Sequence, residues 1–152
     1  MMDFKKSLND GLEAAKNARK NKQEILSVVK ELSSTIEEFS GGLVSLAITK
    51  EQKANKNSNP FLGGIASAMN INPFINYSAL SLILQTDKLN RKEIIAEWRM
   101  NESDGYPCVI SYNGDDVNCR TKETLEKALS GLISNASTGE RLLQLIADGQ
   151  QE

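Results

Sequence analysis

YPCVISYNGDDVNC, Tyr106 to Cys119, is the stretch on which the fold turns. Asn113-Gly114 suits a two-residue type I′ turn, because both positions tolerate positive φ. That turn sets Tyr112 against Asp115, Ile110 against Val117 and Cys108 against Cys119, which makes the stretch a β-hairpin. Cys108 and Cys119 then oppose each other. They read as two small core hydrophobes in a reducing compartment, with a disulfide or redox pair as the alternative.

Upstream, SALSLILQT places Leu80, Leu82 and Leu84 on one face of a strand. RKEIIAEWRMN places Ile94, Ala96, Trp98 and Met100 on one face, with Glu93, Ile95, Glu97 and Arg99 on the other. Matching the two apolar faces pairs Leu84 with Ile94, Leu82 with Ala96 and Leu80 with Trp98. This register requires an odd connection, here Lys88-Leu89-Asn90. Ser103-Asp104-Gly105 supplies the next turn. An earlier strand is expected at Leu43–Thr49, where Val44, Leu46 and Ile48 alternate with Ser45, Ala47 and Thr49, followed by a polar loop, KEQKANKNSN.

Residues 3–40 read as one long helix or a helix pair, stopped by Gly41-Gly42. Its heptad seam runs through Phe4, Leu8, Gly11, Ala15, Ala18, Lys22, Ile25, Val29, Leu32, Ile36 and Phe39. The second half of the seam is the strong one. Unbroken, the helix would span about 57 Å, longer than a compact domain of this size. Either it bends near Lys16–Lys22 or a second subunit packs along it, as in a coiled coil, with Ile25, Val29, Leu32, Ile36 and Phe39 as the dimerisation residues. At the other end, Thr121 caps a helix bearing Leu125, Ala128, Leu129, Leu132, Ile133 and Ala136. Ser137 and Glu140 fit a capping box for a second, bearing Leu142, Leu145 and Ile146 and closed by Gly149.

The fold class that follows is α+β: a long N-terminal helix, an antiparallel β-meander of about five strands, and two C-terminal helices packed on one face of the sheet. One domain, 1–152, accounts for the chain, with the sheet over 43–119 and the C-terminal helices over 121–148.

The 152 residues include no histidine and two cysteines. The Ser-His-Asp triad, the Cys-His dyad and every His-containing zinc site are therefore excluded, as is a four-cysteine site within one chain. No dinucleotide, phosphate-loop or nucleophile-elbow motif occurs. Glu97, Glu102, Asp104, Asp115 and Asp116 flank hairpin ends and could hold magnesium, but turn chemistry explains the aspartates better. The expectation is a non-enzymatic protein with no cofactor and no metal. The opening residues lack the apolar core of a secretory signal, which favours the cytoplasm.

Asn57–Thr86 carries no charge in a chain of which 25% is charged. Its last third is the leucine-rich strand, which leaves an uncharged insert, 57–76, with Asn-Pro-Phe at 59–61 and 72–74. Prolines, glycines and asparagines interrupt it too often for a membrane span. It is either packed under the sheet edge or a docking segment for another protein. In the second case Phe61, Leu62, Ile65, Met69, Phe74 and Ile75 are the partner-binding residues. Lys16, Arg19, Lys20 and Lys22 form a basic run that could contact nucleic acid. The element order resembles small dimeric bacterial proteins such as secretion chaperones or nucleoid-associated proteins. That likeness, which is one of topology, implies a homodimer that binds another protein as adaptor, chaperone or inhibitor, with nucleic-acid binding as the alternative.

Overall fold

The computed structural model describes residues 1–54 and 73–151. Helix α1 (Phe4–Phe39) precedes strands β1 (Val44–Ala54), β2 (Phe74–Gln85), β3 (Asn90–Asn101), β4 (Gly105–Tyr112) and β5 (Asp115–Cys119). Helices α2 (Lys122–Ile133) and α3 (Ala136–Gln150) end the chain. The strands form one antiparallel sheet in chain order, the α+β arrangement expected.

Helix α1 is uninterrupted over 36 residues. Asp3 starts it by accepting the Lys6 N–H at 3.1 Å, which satisfies one of the free donors of the first turn. Gly41 and Gly42, at φ 66° and 85°, end it. The Gly42 N–H returns to the Glu37 carbonyl at 2.7 Å and the Gly41 N–H to Glu38 at 3.3 Å, so the last carbonyls find partners.

The Tyr106–Cys119 hairpin has the expected register: Tyr112 opposes Asp115, Ile110 opposes Val117 and Cys108 opposes Cys119. Asn113 takes φ 53° and Gly114 φ 80°, as a type I′ turn requires.

The β2–β3 pairing corrects the sequence reading. Leu80 opposes Ala96 rather than Trp98, Leu82 opposes Glu93, and Leu84 opposes Arg91. The connection is the even-length Thr86–Leu89, closed by the Thr86 N–H to the Leu89 carbonyl at 2.9 Å. An even loop alone would put Ala96, Trp98 and Met100 on the wrong face. A bulge between Leu80 and Ser81, with Ile95 as the extra residue on β3, restores the match beyond it. Arg91 and Glu93 thus fall on the helix-bearing side, where Arg91 pairs with both Glu93 and Asp148 of α3. This ion pair answers the charge that the register brings in.

Three boundaries also differ. β1 continues through Lys50–Ala54, expected as loop, because these residues pair with Phe74–Ser78. Phe74–Asn76, assigned to the insert, are the first residues of β2, and residues 57–72 lie outside the described residues. Helix α3 is capped by Asn135, whose side chain accepts the Ser137 N–H at 2.7 Å, not by Ser137.

The core lies between the sheet and the three helices. Leu80, Leu82 and Leu84 of β2, Ile110 of β4, Leu125 and Leu132 of α2, Leu145 of α3 and Ile25 of α1 are all fully buried. The opposite face of the sheet carries polar contacts. Thr49 and Ser81 hydroxyls meet at 2.8 Å, and Lys53 lies 2.8 Å from Glu97 and 4.9 Å from the centre of the Tyr77 ring. Lys92 sits 2.6 Å from Glu51, and its hydrogen bond holds that carboxyl below the ordinary carboxylate range.

Helix α1 meets the sheet end at the β3–β4 turn. There Asn21 Nδ2 donates to the Asp104 carbonyl at 3.2 Å and Lys22 Nζ to the Glu102 carbonyl. Gly105 allows this approach. It has φ 85°, and a Cβ there would lie 3.2 Å from the Lys22 backbone nitrogen and from Ile25 Cδ1. Gly42 has the same φ but open space around it. Gly105→Ala is therefore expected to cost about 2–3 kcal/mol and Gly42→Ala about 1 kcal/mol in urea unfolding. Equal costs would show that the α1–β4 contact has room to spare.

Candidate functional site

Helices α1, α2 and α3 do not close completely over the sheet. Between α1 and the pair α2–α3 runs a cleft whose apolar end is a cavity of about 260 Å³. Leu82 and Ile36 lie in the cavity wall, with Leu32 and Phe39 from α1 on one side and Ile133 and Leu142 on the other. The cleft continues toward α2 as a second hollow of about 270 Å³, which shares Leu32, Thr35 and Ile133 with the first. Among the described residues, its charged lining residues are Glu31 and Glu126, the latter 3.9 Å from Lys122, so its polar rim carries a net acidic character.

The local sequence explains each wall. On α1, Val28, Leu32, Thr35 and Phe39 follow helical spacing and form a row beside the core-facing row of Ile25, Val29 and Ile36. On α2, Leu129 turns inward and Ile133, at the last residue, is 38% exposed. The break at Ser134–Asn135 lets α3 diverge, with Thr138 buried and Gly139 adding no bulk to the wall. Phe39, beside the helix stop, is 79% exposed. An aromatic ring left in water at the end of an apolar cleft marks a surface suited to another apolar group.

The residues singled out in the sequence are distributed as follows. Ile25, Val29 and Ile36 are buried in this chain's own core, and Leu32 packs against it. The face on which a second subunit was expected is thus largely occupied by the chain's own sheet, and only Phe39 of that set is exposed. Phe74 and Ile75 are exposed at the start of β2. Phe61, Leu62, Ile65 and Met69 lie outside the described residues. Lys16, Arg19 and Lys20 are exposed on the first half of α1, whereas Lys22 is engaged with the β3–β4 turn.

Of the acidic residues at the hairpin ends, Asp116 and Glu97 make local side-chain contacts. The Asp116 carboxylate accepts the Ser111 hydroxyl at 2.6 Å and lies 3.7 Å from Arg99. Among the described residues, no group of three or more Cys, Asp or Glu side chains is arranged to hold a metal ion. Tyr106 of β4 donates its hydroxyl to Glu24 of α1 at 2.6 Å. Burial, and then this carboxylate, push its phenol above the ordinary value.

The cleft could not be read from the sequence, because it joins residues 28–39 to residues 126–142, which no local pattern relates. Phe39, apolar yet adjacent to a helix stop, was the one signal pointing to it.

No protein-family model matches the chain, and neither curated proteins nor solved structures provide a match. Among the described residues, no helix is long and apolar enough to cross a membrane.

Proposed function

We propose that this chain is a non-enzymatic protein-binding protein, of the adaptor, chaperone or inhibitor kind, whose helical layer takes an amphipathic helix of another protein. The observation that carries this reading is the apolar cleft between α1 and α2–α3, open at Phe39 and rimmed by Glu31 and Glu126. Helix-in-groove recognition needs an apolar floor a few turns long. From Val28 to Phe39 the α1 wall extends about 16 Å, or three turns. The acidic rim favours a partner helix whose apolar stripe is flanked by lysine or arginine. A homodimer in the cytoplasm is part of the proposal.

Synthetic amphipathic peptides with lysine-rich, glutamate-rich or neutral polar faces provide the test, titrated against the whole chain by calorimetry. The lysine-rich peptide is expected to bind best, and Phe39→Ser combined with Ile133→Ser to weaken it at least about tenfold. Both side chains are partly or largely exposed, so the melting temperature should change little. Equal binding of all three peptides, or binding indifferent to the two substitutions, would overturn the cleft as the site. The second reading, nucleic-acid binding, rests on Lys16, Arg19 and Lys20 being exposed on α1. Duplex DNA in the same titration should then bind at low salt and release as salt rises.

A further inference from the structure

Among the described residues, the turns of α1 before Ala18 are exposed and cover nothing in their own chain. Burial begins at Ile25, while Phe4, Leu8 and Leu12 are 72%, 69% and 62% exposed. A helical segment of this length without tertiary cover is marginal in water. Yet its apolar residues keep to one face, and the seam through them has an internal order.

Phe4, Leu8, Gly11 and Ala15 are spaced four, three and four residues apart, a spacing identical when read backwards. The order of sizes is not identical: two large residues precede two small ones. In an antiparallel helix pair each d position faces an a position of the other helix. Taking Phe4 as d, the seam sets Phe4 on the partner's Ala15 and Leu8 on the partner's Gly11, and the two-fold axis repeats both contacts. We infer that this exposed half of α1 is a self-recognition surface, on which a second copy of the chain pairs antiparallel, with large side chains seated on small ones. Independent of the cleft, this places the homodimer contact on residues 4–15 instead of on the buried second half of the helix.

Two observations support a second copy as the occupant. Space around Gly11 is open, with no atom within 4 Å of where a Cβ would lie, so another helix can approach closely. The seam also fits the free length. The partner's Phe4 reaches Ala15, and among the described residues the chain's own fold first hydrogen-bonds to the helix at Asn21, about 9 Å further along. The described parts of the two bodies therefore sit at opposite ends of the pair. Parallel pairing would stack Phe4 on Phe4, leave Gly11 facing Gly11, and force both bodies to one end. The contact is isologous and closes on itself.

The seam is short, so association depends on concentration. Residues 4–20 carry five basic and two acidic side chains, so the two halves repel weakly. Salt should therefore strengthen the pairing, whereas docking of the basic half in the acidic cleft, or on an anionic lipid surface, would weaken with salt.

Sedimentation equilibrium of the full chain tests this, over a wide concentration range and at low and high salt. A monomer–dimer equilibrium favoured by salt is expected, with Leu8→Ser lowering the association constant at least about tenfold. Gly11→Leu is the sharper variant. It adds apolar surface and raises helix propensity, so any unspecific apolar association would grow, but it fills the hole that the partner's Leu8 occupies, and the dimer should be lost. The combined Leu8→Gly, Gly11→Leu variant reverses large and small at facing positions and should restore it. A monomer at every concentration overturns the inference. So does a dimer strengthened by Gly11→Leu, or one weakened by salt, the result expected if the cleft is the occupant's seat. Unchanged circular dichroism melting in dilute solution confirms that each variant still folds.

Discussion

Replacing Ile25 by alanine is expected to lower the free energy of unfolding by about 3 kcal/mol, whereas Leu8→Ala in dilute monomer costs under about 0.5 kcal/mol. The two residues belong to the same heptad seam and differ only in what lies opposite. Ile25 is fully buried where α1 reaches the β3–β4 turn, and Leu8 is 69% exposed. Truncating Ile25 removes apolar area and leaves a hole between α1 and β4, because Gly105 on the other side has no side chain to fill it. The loss should also be seen in hydrogen exchange, since the uncovered turns of α1 depend on the covered ones for their order. Urea unfolding of both variants measures the contrast. Equal losses would mean that the first half of α1 is as well packed as the second.

The second large effect concerns the thiols. Cys108 and Cys119 oppose each other across β4–β5, are fully buried and are unbridged. Burial, with a smaller push from Cys119, raises the Cys108 thiol to about 12, and burial raises Cys119 as well. The thiolate is the reactive form, so both thiols should be nearly inert in the folded chain. Alkylation with iodoacetamide at mildly alkaline pH should be slower than in urea by roughly a thousandfold or more, limited by opening of the sheet. Rapid native labelling at either position would place that cysteine outside the core.

The same shifts set a pH dependence. Below the ordinary thiol value both folded and unfolded chains keep these protons, and stability is unaffected. Above it the unfolded chain loses them, while folded Cys108 holds its proton up to about 12. Stability should therefore fall as pH rises through this window. Cys108→Ala with Cys119→Ala should flatten that part of the profile, whatever the double substitution costs at neutral pH.

The β4–β5 hairpin, the end of α1 and the start of α2 were legible because each depends on backbone preferences acting over a few residues. Asn113-Gly114 and Gly41-Gly42 supply positive φ, and Thr121 accepts the Thr124 N–H at 3.2 Å. The sheet's apolar face was legible for a similar reason, since alternation is a property of one strand. The β2–β3 register was not. It was inferred from matching apolar faces, but the bulge at Ile95 lets Arg91 and Glu93 turn toward the helices, where Asp148, more than fifty residues away, receives Arg91.

The candidate site divides in the same way. By itself the sequence determined that α1 is long, where it stops and which of its faces is apolar, because helix periodicity and glycine conformation are local. Only the tertiary structure decided which half of that face is kept dry. Among the described residues, the fold's hydrogen bonds to α1 begin at the β3–β4 turn, and Ile25, Val29 and Ile36 are enclosed while Phe4, Leu8 and Leu12 remain in water. The cleft beside Phe39 likewise exists only where three helices distant in sequence fail to close over one sheet, a matter of packing geometry that no single segment encodes.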